Sequence, residues 1–285
     1  MSTNTVAAVR VPTGGLAHQA RAALVVWQRE MIRFGKDRTR IVSSLVQPLL
    51  FLFVLGVGLS SIVSAGNGSV GFTTFLFPGV LALSVLFTAA FSGISMVWDR
   101  EFGFLREMLV APVSTTAILT GKCFGGATVA TLQSLILLAL AGLVGVPYSP
   151  VLLLTLVGLL FLMAFMITAL GLVLAARVKR VESAMPMVQL IITPLMFLSG
   201  ALFPLSGLPT WLAVLTNLNP MTYAVAPMRT AVFDQLDVDA LTRATLDPGI
   251  VWNGWAVPVA MQVAIVAASC VVLLAAAVAR FTRTE

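Results

Sequence analysis

IVSSLVQPLLFLFVLGVGLSSIVSAGNGSVGFTTFLFPGVLALSVLFTAAFSGISMVW, residues 41–98, contains no ionisable side chain. A bilayer core about 30 Å thick is crossed by roughly 20 apolar helical residues, so this run holds two crossings. SAGNGSVG at 64–71 is small, polar and glycine-rich, and it divides the run into predicted spans at 42–63 and 73–97.

The same pattern recurs downstream. Residues 123–176 carry no charge and are broken at GVPYSP, 145–150, which predicts spans at 118–144 and 151–175. A fifth span is expected at 184–203, after Arg177, Lys179 and Arg180. The sixth is expected at 256–279, entered through Trp252 and Trp255, residues suited to headgroup depth. Between these two, Pro204, Pro209, Pro220 and Pro227 cut 204–233 into pieces too short to cross. The pieces 209–217 and 221–233 are expected as a broken, re-entrant helix pair at the extracellular membrane surface.

Composition supports a membrane chain. Of the 285 residues 59% are hydrophobic and only 10% charged, against about 25% charged in soluble domains. The net charge of +6 does not indicate nucleic-acid binding, because the basic residues flank apolar stretches and form no separate domain. Of 17 Lys and Arg residues, 15 lie in the amino end, the 98–122 loop, the 177–182 loop and the carboxyl tail. The positive-inside rule places those segments, and both termini, in the cytoplasm of a multi-pass plasma-membrane protein. A seventh crossing would send Arg280 and Arg283 outside. No secretory signal is expected in the first 20 residues, which lack an apolar core.

Ahead of the first span, Leu16, Ala20, Leu24, Trp27, Met31 and Phe34 recur at helical spacing, with Arg21, Gln28 and Arg29 turned away. An interfacial helix on the cytoplasmic leaflet is expected there; a plain soluble helix is the alternative. The proposed spans contain no Asp, Glu or His, which argues against a proton relay or a catalytic centre within the bilayer. Cys123 and Cys270 show no metal-ligand spacing, and Thr116 stands where a phosphate loop ending at Gly121-Lys122 needs its first glycine. The chain is therefore expected to carry no cofactor, and any vectorial work must be powered by another polypeptide.

Charge returns abruptly in MVWDREFGFLREMLVAP, residues 96–112. As a helix over 98–111, it places Trp98, Phe102, Leu105 and Leu109 on one apolar stripe, with Asp99, Arg100, Arg106 and Glu107 off it. A topological anchor needs only positive charge. Here three basic residues (Arg100, Arg106, Lys122) meet three acidic ones (Asp99, Glu101, Glu107), a balance that favours docking into a partner's groove.

WDREFGFLREMLVAPVSTTAILTGK, residues 98–122, resembles the signature loop of the ABC type-2 exporter permeases, closest to the membrane subunit of daunorubicin-resistance-type exporters. The resemblance implies an all-α integral membrane fold: six transmembrane helices, an amino-terminal interfacial helix within 1–40, a coupling helix at 98–111 and the re-entrant pair. It assigns Glu101, Phe102, Arg106 and Glu107 to contact with a separate ABC ATPase. Trp98, Asp99 and Arg100 belong to the same coupling segment, with Phe104 and Leu105 as packing residues and Arg33 and Lys36 as secondary contacts. It further implies two ATPase copies carrying ATP and magnesium, and a second permease, identical or related. Cargo would then be hydrophobic or amphipathic drugs or lipids. A lipid-linked polysaccharide, or a non-transporting scaffold or channel, is the alternative. Phe51, Phe53, Phe75, Phe87 and Phe91 either line the cargo path or face lipid. Pro48, Pro78, Pro186 and Pro194 are candidate kinks, and Gly121-x-x-x-Gly125 matches a close-packing pattern.

Overall fold

A computed structural model describes residues 15–58, 71–103, 113–178, 180–252 and 254–284. The order is α1 (Leu16–Lys36), α2 (Arg38–Leu50), α3 (Phe72–Glu101), α4 (Thr115–Leu138), α5 (Pro150–Ala175), α6 (Val181–Phe197), α7 (Thr210–Leu218), α8 (Thr222–Phe233), α9 (Ala240–Leu246) and α10 (Val259–Thr284). A hairpin of β1 (Val251–Trp252) and β2 (Trp255–Ala256) precedes α10. α2 continues through a π-helical turn, Phe51–Leu55, to Gly58.

Among the described residues, five helices are long and apolar enough to cross a membrane: Ile41–Gly58, α3, α4, α5 and Val259–Arg283 within α10. The chain is an all-α membrane protein. α6, expected at 184–203, spans 17 residues and contains Pro186 and Pro194; at 1.5 Å per residue it covers roughly 25 Å, short of a full core. It ends before a turn in which Gly200 takes φ 71°.

α3 is the hub. Of its most apolar stretch 89% is buried, against 17% for the first and last spanning helices. Small residues bring its neighbours to backbone contact, the means by which apolar helices associate without a hydrophobic driving force. A Cβ on Gly93 of α3 would lie 2.4 Å from the Thr168 carbonyl oxygen of α5, and one on Gly126 of α4 would lie 2.6 Å from Ser92 Oγ.

The Gly121-x-x-x-Gly125 pattern packs against α1. A Cβ on Gly121 would sit 2.4 Å from the Ala23 carbonyl oxygen, and one on Gly125 would sit 2.8 Å from Glu30 Cγ. Trp27 Nε1 donates to Thr128 Oγ1 across this seam at 3.0 Å, and Gln19 Oε1 accepts from Ser114 N at 2.9 Å. The bundle-facing side of α1 therefore runs through Gln19, Ala23, Val26 and Glu30, whereas Leu16 and Leu24 of the expected apolar stripe are exposed. The stripe and the seam share Trp27 but diverge at Leu16 and Leu24, because close approach to α4 is set by the glycines rather than by apolar area.

The proline-divided stretch forms two helices, α7 and α8. α8 is packed within the bundle: Thr222–Arg229, Val232 and Phe233 are buried, and it contacts α3, α5 and α10. Arg229 donates through Nη2 to the Gly200 carbonyl, with its guanidinium 4.3 Å from the Phe75 ring centroid.

Candidate functional site

Three consecutive charges close α3. Helical geometry separates neighbouring side chains by about 100°, so Asp99, Arg100 and Glu101 reach in different directions, and each finds a different part of the chain.

Asp99 is buried and bridges two helices. Its Oδ2 accepts from Lys122 Nζ of α4 at 2.6 Å, and its Oδ1 accepts from Arg29 Nη2 of α1 at 2.6 Å. Lys122 Nζ also donates to Glu30 Oε1 at 2.9 Å, and Arg33 Nη1 stands 3.9 Å from Asp99 Oδ1. Relative exposures of 3% for Asp99, 1% for Lys122 and 6% for Glu30 place the centre of this network away from solvent, with the Arg29 and Arg33 side chains 37% and 45% exposed at its rim. Buried charge is tolerated only when paired and hydrogen-bonded, and the two carboxylates supply that for the lysine.

Arg100 donates through Nη1 to the carbonyl oxygens of Ala175 at 3.0 Å and Val178 at 2.9 Å, and its guanidinium lies 5.2 Å from the Phe281 ring centroid of α10. Ala175 is the last residue of α5, whose final carbonyls have no intrahelical donor. Glu101 Oε2 accepts from Val181 N at 2.8 Å, the first amide of α6. The signs match the helix dipoles: a cation at a C-terminus, an anion at an N-terminus. Arg100→Ala is expected to cost about 1.5–3 kcal/mol, the range for hydrogen bonds from a charged donor, read as the shift in detergent-driven unfolding of the purified chain.

α3 stops at Gly103, whose φ of 84° is a left-handed conformation that glycine adopts without strain. Trp98–Glu101 are therefore the last turn of the second spanning helix, where a separate helix from 98 was expected. Phe102 follows, 70% exposed. Phe104, Leu105, Arg106 and Glu107 lie outside the described residues. Arg33 is half-exposed at the rim of the network, beside a groove of about 370 Å³ that Trp98 and Phe102 also line; Lys36 is exposed. The balanced signs of Asp99, Arg100 and Glu101 are answered within this chain.

The phenylalanines separate. Phe87 and Phe91 line a cavity, Phe53 is exposed, Phe51 is half-buried in the π-helical turn, and Phe75 is sealed beneath Arg229. Sequence reasoning missed Arg29, Glu30 and Lys122 as a unit. One signal was available: a lysine between two glycines of a close-packing pattern is carried into the seam whenever that seam is used.

This arrangement defines a class, a helical membrane bundle with a buried charge network at one end of its central helix. Residues 21–233 match the family model described as ABC-2 type transporter, and the chain belongs to that family. It is similar to the putative transport permease ycf38 of Cyanophora paradoxa, 28% identical over 208 residues covering 72% of each chain. It is also similar to nodulation protein J of Rhizobium leguminosarum bv. viciae, 28% identical over 79% of this chain and 85% of the relative. The inner membrane transport permease YadH of Escherichia coli K12 is 27% identical over 76% of this chain and 85% of the relative. The chain is thus a transmembrane permease subunit of an ABC transporter and not itself a catalyst, and the family implies partnership with an ABC ATPase.

Proposed function

We propose that this permease exports hydrophobic or amphipathic drugs or lipids from the cytoplasm or inner leaflet of the plasma membrane, with both termini cytoplasmic. It works with two copies of a separate ATPase, which bind ATP and magnesium, and with a second permease. The segment from Trp98 through Glu107 couples the two activities. One observation supports this most directly: the turn preceding the loop is tied by Asp99, Arg100 and Glu101 to α1, α4, α5, α6 and α10. A displacement delivered to the loop by ATP-driven closure of the partner reaches most of the bundle through that single turn. Asp99 and Arg100 act as positioning residues. Glu101 and exposed Phe102, followed by Phe104, Leu105, Arg106 and Glu107, form the contact segment, with Arg33 and Lys36 flanking it.

The test is reversal of charge in the loop. Arg106→Glu and Glu107→Arg are each expected to reduce co-purification of the ATPase at least about tenfold, equivalent to 1.4 kcal/mol, or to leave hydrolysis running without export. Unchanged association and unchanged export in both variants would sink the proposal.

A further inference from the structure

Between α2, α3 and α4 lies a cavity of about 260 Å³. Ser43, Ser44 and Gln47 of α2, Thr88 of α3 and Gln133 of α4 line it, with Phe87 and Phe91 as its aromatic wall. These are neutral polar groups on helices that cross the membrane. Polar side chains in apolar surroundings are costly unless paired, and the pairing here is incomplete. Gln133 Nε2 donates to Ser44 Oγ, but the buried Thr88 Oγ1 has no hydrogen-bond partner, nor does Ser84 Oγ one turn away on the same helix.

That differs from five other hydroxyls of the bundle. Thr131, Ser134, Thr168, Ser269 and Thr282 each donate to the carbonyl four residues earlier. Thr88 leaves its donor unspent at the edge of a space. Pro48 stands on the opposite wall and has no N–H to give the Ser44 carbonyl. The π-helical turn Phe51–Leu55 follows within one turn, a distortion frequent at functional sites.

We infer that this cavity is a subsite for the uncharged, hydroxyl-bearing headgroup of an amphiphilic cargo, a deepening that rests on the export reading above. Hydroxyl and amide groups from three helices offer both donors and acceptors, the set that a neutral polyol or sugar ring requires. Among the described residues no lysine, arginine or carboxylate lines the space, so a phosphate or ammonium headgroup entering it would be stripped of water without a counter-charge. Pockets that enclose a drug-sized molecule run to about 300–1,000 Å³; this one takes a headgroup and leaves the chain outside. Phe87 and Phe91, both half-buried, give the apolar face of such a ring a surface to rest on.

The experiment uses the purified full chain in phosphatidylcholine nanodiscs and a dodecyl glucoside carrying a photoreactive diazirine near its headgroup. Crosslinks are expected on 43–48 and 87–91, displaced by unlabelled octyl glucoside and not by dodecylphosphocholine. Thr88→Val should reduce labelling about five- to tenfold, the worth of one or two hydrogen bonds, and Thr88→Ser should retain it. Gln133→Leu, a second route to the same loss, keeps the test intact if Thr88→Val does not fold. Labelling that survives both variants, or that dodecylphosphocholine displaces equally well, overturns the subsite and identifies an apolar groove filled by lipid. Because no ATPase is present, that failure is separate from any failure of the coupling experiment.

Discussion

Lys122→Ala lowers the free energy of unfolding by about 3–5 kcal/mol, the expected cost of leaving a buried ion pair with one partner missing. The lysine ammonium is held by Asp99 and Glu30 at 2.6 and 2.9 Å with almost no access to solvent. Removing it strands two carboxylates against each other, with Arg29 and, at 3.9 Å, Arg33 as the remaining cations beside Asp99. The control is the neutral triple variant Glu30→Gln, Asp99→Asn and Lys122→Gln. It deletes the same interactions without leaving a buried uncompensated charge, and it should recover more than half of the loss. Both are read in detergent-driven unfolding of the purified chain. Equal stability of the single variant and the parent would mean that water reaches the network freely, and the assignment of Asp99 and Lys122 as an internal joint would be withdrawn.

The second large effect is expected at the seam between α1 and α4. Gly121→Leu places four carbons where even a Cβ would be 2.4 Å from the Ala23 carbonyl oxygen and 2.9 Å from Val26 Cβ. Overpacking alone costs about 1–3 kcal/mol. Here the obstacle is a backbone that cannot turn aside, so α1 must lift, and Glu30 leaves Lys122 with it. The total therefore exceeds about 3 kcal/mol, since the lysine loses a buried partner as well. Hydrogen exchange should show the amides of Ala23–Phe34 losing protection while those of α5 hold theirs. Uniform loss throughout the bundle, or none, would contradict a seam that acts locally.

Much of the bundle was legible because apolar length and its interruptions are local properties. The uncharged run from Ile41 to Trp98 resolves into Ile41–Gly58 and α3, and the proline-divided stretch 204–233 contains α7 and α8. The Gly121–Gly125 seam was legible too, since a small-residue repeat names its own face. What periodicity does not carry is which neighbour each face meets. Asp99 and Lys122 are 23 positions apart on different helices, and nothing in their spacing announces a pair. Arg29 was placed on the polar side of α1, yet it reaches Asp99, because α1 offers its glycine-matched face to the bundle and its greasiest residues elsewhere. The end of α3 was misplaced for a similar reason: the predicted span stops at 97 and assigns Trp98 onward to a separate helix, whereas Trp98–Glu101 complete α3 before Gly103 takes its left-handed backbone.

The last turn of α3 has a mechanical consequence. A rod pinned at one point can swivel, and one pinned at two can still roll; three supports spread around its axis remove both freedoms. Asp99, Arg100 and Glu101 provide such a three-point mount, with Lys122 and Arg29 on one bearing, the end of α5 on another and the start of α6 on the third. The chain that leaves Glu101 therefore starts from a fixed position with a fixed heading, and a push applied to it is not absorbed by play in the joint.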